Sequence, residues 1–181
     1  LKYIGKDPRS KNPDDYKAAG EMLKAVRPNV TRFAGSGSDY IDQMAKGQLC
    51  AVIGWSGDIM IAKDKSTKAK TPQNLEVLLP KTGGLLFFDT MAIPKDAKHP
   101  ENAYKWINYI LRPEVHASLT NKVFYANPNK AAMKFVNPAL AKDKAVFPPE
   151  AALETTIAPD TPDQTTLRLV TRTFTNFKAN R

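Results

Sequence analysis

The stretch GGLLFFDTMAIP, residues 83–94, sets the tightest constraint in this chain, because Asp89 sits in the middle of Leu85, Leu86, Phe87, Phe88, Met91 and Ile93. An ionised carboxylate buried without a partner costs several kcal/mol. Either Asp89 points out of the structure or a cation comes to it. Read as a strand, the run places Phe87 and Asp89 on one face and Phe88 on the other.

A second stretch, 54-GWSGD-58, repeats the pairing of an aromatic ring with a carboxylate. An extended run ends at Gly54, the chain turns, and Asp58 arrives at a helix start, where free amides favour and orient an anion. Trp55 and Asp58 can be core and cap, or they can face a ligand together. Two such pairs suit a ligand that is cationic at its ends and apolar between. Carboxylates make charge-assisted hydrogen bonds to ammonium groups, and ring faces add cation–π attraction of about 0.5 to 2 kcal/mol. A methylene chain lying on the rings contributes on the order of 0.8 kcal/mol per buried CH₂. A diamine or polyamine has this form.

Chemistry of other kinds finds little support. There is no phosphate-binding P-loop, no G-x-G-x-x-G after a strand and no metal-ligand spacing, with His99, His116 and Cys50 scattered along the chain. GWSGD begins like a nucleophile elbow but has Asp58 where the last glycine belongs, which argues against Ser56 as a nucleophile. No catalytic residue, metal or cofactor is therefore expected. The 27 lysines and arginines against 18 aspartates and glutamates give a net charge of +9, which keeps a basic nucleic-acid-binding module in view. The basic residues of 61-IAKDKSTKAK-70, 130-KAAMK-134 and 141-AKDKA-145 alternate with Ala, Ser and Asp, as solvated helix faces do. No basic block is interleaved with aromatics as a stacking platform.

Helix and strand signals alternate early. Asp14 or Asp15 can cap a helix presenting Tyr16, Ala19, Met22, Leu23 and Val26, ended by Pro28. Val30–Phe33 reads as a strand. Ser38 can cap a helix with Tyr40, Ile41 and Met44 inward and Gly47 as its stop. Cys50–Gly54 reads as a buried strand, with a helix starting near Asp58, a strand over Leu75–Leu79, a turn over Pro80–Gly84, and then the apolar run carrying Asp89. Later the chain is helical: Pro100 opens an amphipathic helix with Ala103, Trp106, Ile107 and Ile110 on one face, and Pro113 opens the next. Asn129, Pro138 and Pro149 mark short helices, and Leu167, Val170, Phe174 and Phe177 mark a long terminal one. This order predicts an α/β fold with a mixed sheet and a helical C-terminal region. With 42% hydrophobic residues among 181 the chain can bury a core of one or two domains. No apolar run approaches the roughly 20 residues that span a bilayer. Leu1–Gly5 reads as a last helical turn closed by glycine, with no leader pattern and no initial Met, as expected of a fragment or a processed product. Cys50 reads either as a small core residue or as half of a disulfide in an exported protein.

IGWSGD, LPKTGGLLFFDTMAIPKDAK, YKWINYILRPEV, VFYANPNKAA and VTRTFTNFK together resemble the bacterial periplasmic polyamine-binding proteins, the substrate-binding components of ABC importers, most closely the putrescine-binding members. The resemblance implies a two-lobed type II binding-protein fold of which this chain is the C-terminal half. Residues 1–80 would belong to the C-terminal lobe, 81–112 to a crossing strand and helices of the N-terminal lobe, and 113–181 would return. It implies ligand contacts from Trp55, Asp58, Phe87, Asp89 and Tyr125, the last from 123-VFYANPNK-130, which on its own reads as a turn into a helix capped by Asn129. It further implies putrescine or a related polyamine as ligand, an importer permease as partner, no nucleic acid, a periplasmic location, a monomeric full-length protein, and pairing of Cys50 with a cysteine upstream. The rest of the family's ligand site would lie outside these residues.

Overall fold

The computed structural model describes residues 1–35 and 38–180. About half of the chain is helical, in α1 (Pro13–Val26), α2 (Ser38–Ala45), α3 (Ser56–Thr67), α4 (Pro100–Ile110), α5 (Pro113–Val123), α6 (Pro138–Ala141), α7 (Glu150–Leu153) and α8 (Gln164–Ala179), with 3₁₀ turns at Lys2–Ile4, Arg27–Asn29 and Lys130–Phe135. The expected α/β fold with a mixed sheet, and with it the two-lobed type II architecture, is not what the chain forms. Among the described residues the sheet-type pairing comes down to one parallel bridge, Leu85 to Ile157. Residues 30–33, 50–54, 75–79 and 86–93 carry the apolar character of strands but run without a ladder. Alternation is a local property, whereas a strand needs a neighbour about 4.8 Å away to take up its N–H and C=O groups. Unladdered, these runs leave Ile53, Leu78, Phe88 and Met91 exposed. Cys50, expected in a buried strand, is an exposed free thiol for the same reason.

The chain divides into two compact units. The first comprises Leu1–Ala34, Pro80–Phe87 and the chain from Thr155 onward. Here α1 packs on α8. Helix α1 starts two to three residues earlier than the acidic caps suggest: Asn12 is the cap, its side chain accepting from the Asp14 N–H at 3.0 Å, with Pro13 in the first helical position, where its missing N–H costs nothing. The two acidic residues sit in the first turn instead. Asp163 caps α8, accepting from the Thr166 N–H at 2.8 Å while Lys11 lies 3.0 Å from its other oxygen. Phe33 stands edge-on to Phe174 and Phe177, with ring centroids 6.1 and 5.2 Å away, and the Arg27 guanidinium lies over its face at 5.4 Å. Geometries of this kind set the ring's positive edge or a cation against a π face.

The second unit comprises Gly35–Leu79 and Phe88–Glu154. Its helices α2 and α3 pack together, burying Tyr40, Met44 and Ala45 on one and Ile59, Met60 and Ala62 on the other. The expected cap at Ser38 falls on a side chain outside the described residues. Helix α2 stops ahead of Gly47, whose φ of 70° is the left-handed conformation that glycine adopts without strain. Helix α5 packs on α3 and on the 3₁₀ turn Lys130–Phe135. Ala117, Ala132 and Val136 form the centre of this packing, with Met133, Leu140, Ala141 and Phe147 around them. Helix α4, though amphipathic, buries no residue fully.

The Thr166 amide and then Lys11 hold the Asp163 carboxyl at about 2, well below the usual carboxylate range. A lowered folded-state pKa stabilises the fold above the unfolded value and ceases to do so as pH falls through the folded one. Asp163→Asn keeps the cap and removes the charge, so its melting temperature should lie below that of the wild type at pH 7. The gap should close between about pH 4 and pH 2 in thermal melts followed by circular dichroism.

Candidate functional site

Asp58 occupies the third position of α3, whose cap is Trp55 in extended conformation. Carboxylates at this position face the unpaired amides and the positive end of the helix dipole. The half-buried Asp58 is held from two sides. The Tyr40 hydroxyl, from α2, donates to one carboxylate oxygen, Oδ2, at 2.7 Å, and the Tyr125 hydroxyl donates to the other, Oδ1, at 2.9 Å. The Trp55 backbone N–H donates to the Tyr40 oxygen at 3.2 Å. Two phenols and a carboxylate thus link α2, α3 and the segment after α5.

The chain is shaped locally to bring Tyr125 there. Helix α5 ends at Phe124 in the left-handed conformation, φ 59°, its N–H donating to the Thr120 carbonyl at 2.9 Å. A non-glycine residue pays for that conformation, and here it turns the chain sharply towards α3. The segment beyond is pinned by asparagines. Asn127 donates to the buried Thr120 hydroxyl at 2.7 Å, Asn129 donates to the Leu111 carbonyl at 2.9 Å, and the Asn129 side chain caps the next turn through the Ala131 N–H. On the other side, Gly57 lets the ring in: a Cβ there would lie 2.1 Å from the Tyr125 ring.

Burial, and after it the hydrogen bond to Asp58, raises the Tyr125 hydroxyl well above the ordinary phenol range. Tyr40 is raised by the same two causes in the same order, with the Trp55 N–H acting the other way. Both phenols therefore remain donors at any physiological pH. Each carboxylate oxygen accepts one phenol bond and keeps a further lone pair. The arrangement is an oriented anion with an aromatic neighbour, suited to receiving N–H donors. Ser56 opens α3 with no hydrogen-bonded base among the described residues, and no group of three or more His, Cys, Asp or Glu assembles among them as a metal site.

Of the residues expected at a ligand site, Asp58 and Tyr125 meet directly, and Trp55 joins them through its backbone and the Tyr40 hydroxyl. Trp55 is half exposed. Asp89 has no hydrogen bond to this cluster among the described residues. Phe87 belongs to the first unit and Asp89 to the second, and Asp89 is exposed without a hydrogen bond or ion pair among the described residues. Tyr40 is the member that the sequence placed on the inner face of a helix without a role. The available signal was chemical: an inward tyrosine carries a hydroxyl that needs a polar partner.

The sequence profile of the bacterial extracellular solute-binding proteins matches residues 1–148. The chain is 38% identical over 182 aligned residues to the putrescine-binding periplasmic protein PotF of Escherichia coli, covering 100% of this chain and 49% of that protein. It has the same identity and coverage with the putrescine-binding periplasmic protein SpuD of Pseudomonas aeruginosa. With the spermidine/putrescine-binding periplasmic protein of Salmonella typhimurium it shares 35% identity over 148 residues, 82% of this chain and 40% of the relative. The chain spans about half the length of the first two.

Gly57→Ala tests the packing that seats Tyr125. Its methyl group meets the Tyr125 ring, so either the phenol leaves Asp58 or the first turn of α3 shifts. Overpacking of this kind costs about 1–3 kcal/mol. Urea unfolding should show that loss, and spectrophotometric titration should show one phenol returning towards the ordinary range.

Proposed function

This chain belongs to the bacterial extracellular solute-binding proteins, and from that membership we propose that it serves a binding protein for a polyamine, putrescine first, and delivers the ligand to the permease of an ABC importer from a periplasmic location. It performs no chemistry on its ligand. The observation that carries this reading is Asp58, a carboxylate oriented by Tyr40 and Tyr125 beside the half-exposed Trp55. An ammonium group brings up to three N–H donors to such an anion, and an aromatic face adds cation–π attraction. The names of the relatives, putrescine-binding and spermidine/putrescine-binding, agree with that chemistry.

In this reading Trp55, Asp58 and Tyr125 receive one end of the ligand. Phe87 and Asp89 receive the other: Asp89 is exposed and has no hydrogen bond or ion pair among the described residues, which leaves its carboxylate open to a cation. The full-length protein acts as a monomer and does not use nucleic acid. The net charge of +9 opposes a cationic ligand at long range, but that field decays over roughly 8 Å at physiological salt, while the site carboxylates act at contact.

A hydrogen bond to a charged group is worth about 1.5–3 kcal/mol, and 1.4 kcal/mol corresponds to a factor of ten in affinity. Calorimetry with putrescine on the full-length protein should therefore show about 10- to 100-fold weaker binding in Asp58→Asn, and in Asp89→Asn. Unchanged affinity in both variants would remove these residues from the site. Salt-sensitive DNA binding in place of diamine binding would favour the basic-module alternative.

A further inference from the structure

The hydrogen bonds of Tyr40 converge on both parts of the aromatic-carboxylate pair. Its ring is buried, with 6% of its surface exposed, yet its hydroxyl reaches Asp58 Oδ2 at 2.7 Å and receives the Trp55 N–H at 3.2 Å. A phenol oxygen that donates once and accepts once ties two groups into one geometry. One of those groups is the carboxylate, and the other is the backbone of Trp55.

The surroundings are built to keep the hydroxyl in that position. Gly54, just before Trp55, has no side chain, and a Cβ there would lie 2.8 Å from the Tyr40 hydroxyl oxygen and 2.9 Å from two ring carbons. The Tyr40 end of the ring therefore occupies the space that any other residue at position 54 would fill. The opposite carboxylate oxygen is held separately, by Tyr125. Rotation of the Asp58 carboxylate would break one phenol bond or the other.

We infer that Tyr40 is a positioning residue for cation capture: through one hydroxyl it fixes the carboxylate of Asp58 and the backbone of Trp55 in register, so that an ammonium group meets anion and ring together. Tyr40 does not itself need to touch the ligand. This inference rests on the polyamine reading of the Asp58 site. Preorganisation of this kind acts on affinity by removing the cost of ordering the site when ligand arrives.

The test uses full-length protein labelled with 5-fluorotryptophan, the Trp55 ¹⁹F resonance being assigned by its loss in Trp55→Phe. Tyr40→Phe keeps the ring and removes the hydroxyl. We expect it to shift the Trp55 resonance in the ligand-free protein and to weaken putrescine binding roughly tenfold by calorimetry, the size of effect a charge-assisted hydrogen bond supports. A residue that only filled space would leave the resonance in place. If Tyr40→Phe does not fold, Gly54→Ala displaces the same hydroxyl while retaining it, and the same two changes are expected. Wild-type affinity, or an unmoved Trp55 resonance, in the folded variant would overturn the role of Tyr40 while leaving the polyamine reading standing. A wild-type protein that takes up no putrescine would overturn the polyamine reading and this inference with it.

Discussion

The hydrogen bonds that hold Asp58 organise the second unit. One carboxylate accepts from Tyr40 on α2 and from Tyr125 after α5 while standing in the first turn of α3. Three segments far apart in the chain thereby share one polar node. A half-buried carboxylate would be costly if left unmatched, and two phenols together with the helix N-terminus offset that cost. The same contacts restrict the carboxylate to one orientation, so the demands of stability and of recognition fall on the same atoms.

Several local features of that unit support this node at one remove. The left-handed turn at Phe124 aims the chain, the asparagines at 127 and 129 hold it, and the glycines at 54 and 57 leave room for the two tyrosine rings. Glycine is required at both places because of close approach rather than backbone conformation. Neither position has the positive φ found at Gly47 or Gly83. In the first unit a different set of contacts does the holding: α1 against α8, the Phe33 cluster, and the paired ends where Lys11 meets Asp163. That ion pair is exposed, and its influence will be screened by salt.

The extended runs present the opposite situation. Ile53, Leu78, Leu85, Phe88 and Met91 have the composition of strand interiors but are exposed. Asp89 sits among these residues with its carboxylate in solvent. The question raised by GGLLFFDTMAIP is thus answered in its first form within this chain, Asp89 pointing outward, while the proposed function gives that exposed anion a cation to receive.

Helices were legible because their signals are local. Pro100 and Pro113 at first helical positions, Asn129, Pro138 and Pro149 at the starts of short helices, and the spacing of Leu167, Val170, Phe174 and Phe177 each act within a few residues, and the structure carries a helix or helical turn at every one. Asp58 at a helix start was legible on the same grounds. The mixed sheet was not determined in this way: alternating apolar residues say that a run can be a strand, but only a partner at hydrogen-bonding distance makes it one. The meeting of Tyr40, Asp58 and Tyr125 was likewise decided by tertiary structure, since it depends on the packing of α2 and α5 on α3. The sequence by itself determined which residues carry charge, aromatic surface and helix-capping power. Packing decided which of them share a hydrogen bond, because side-chain hydrogen bonds need atoms within about 3 Å and no residue spacing specifies that across separate elements.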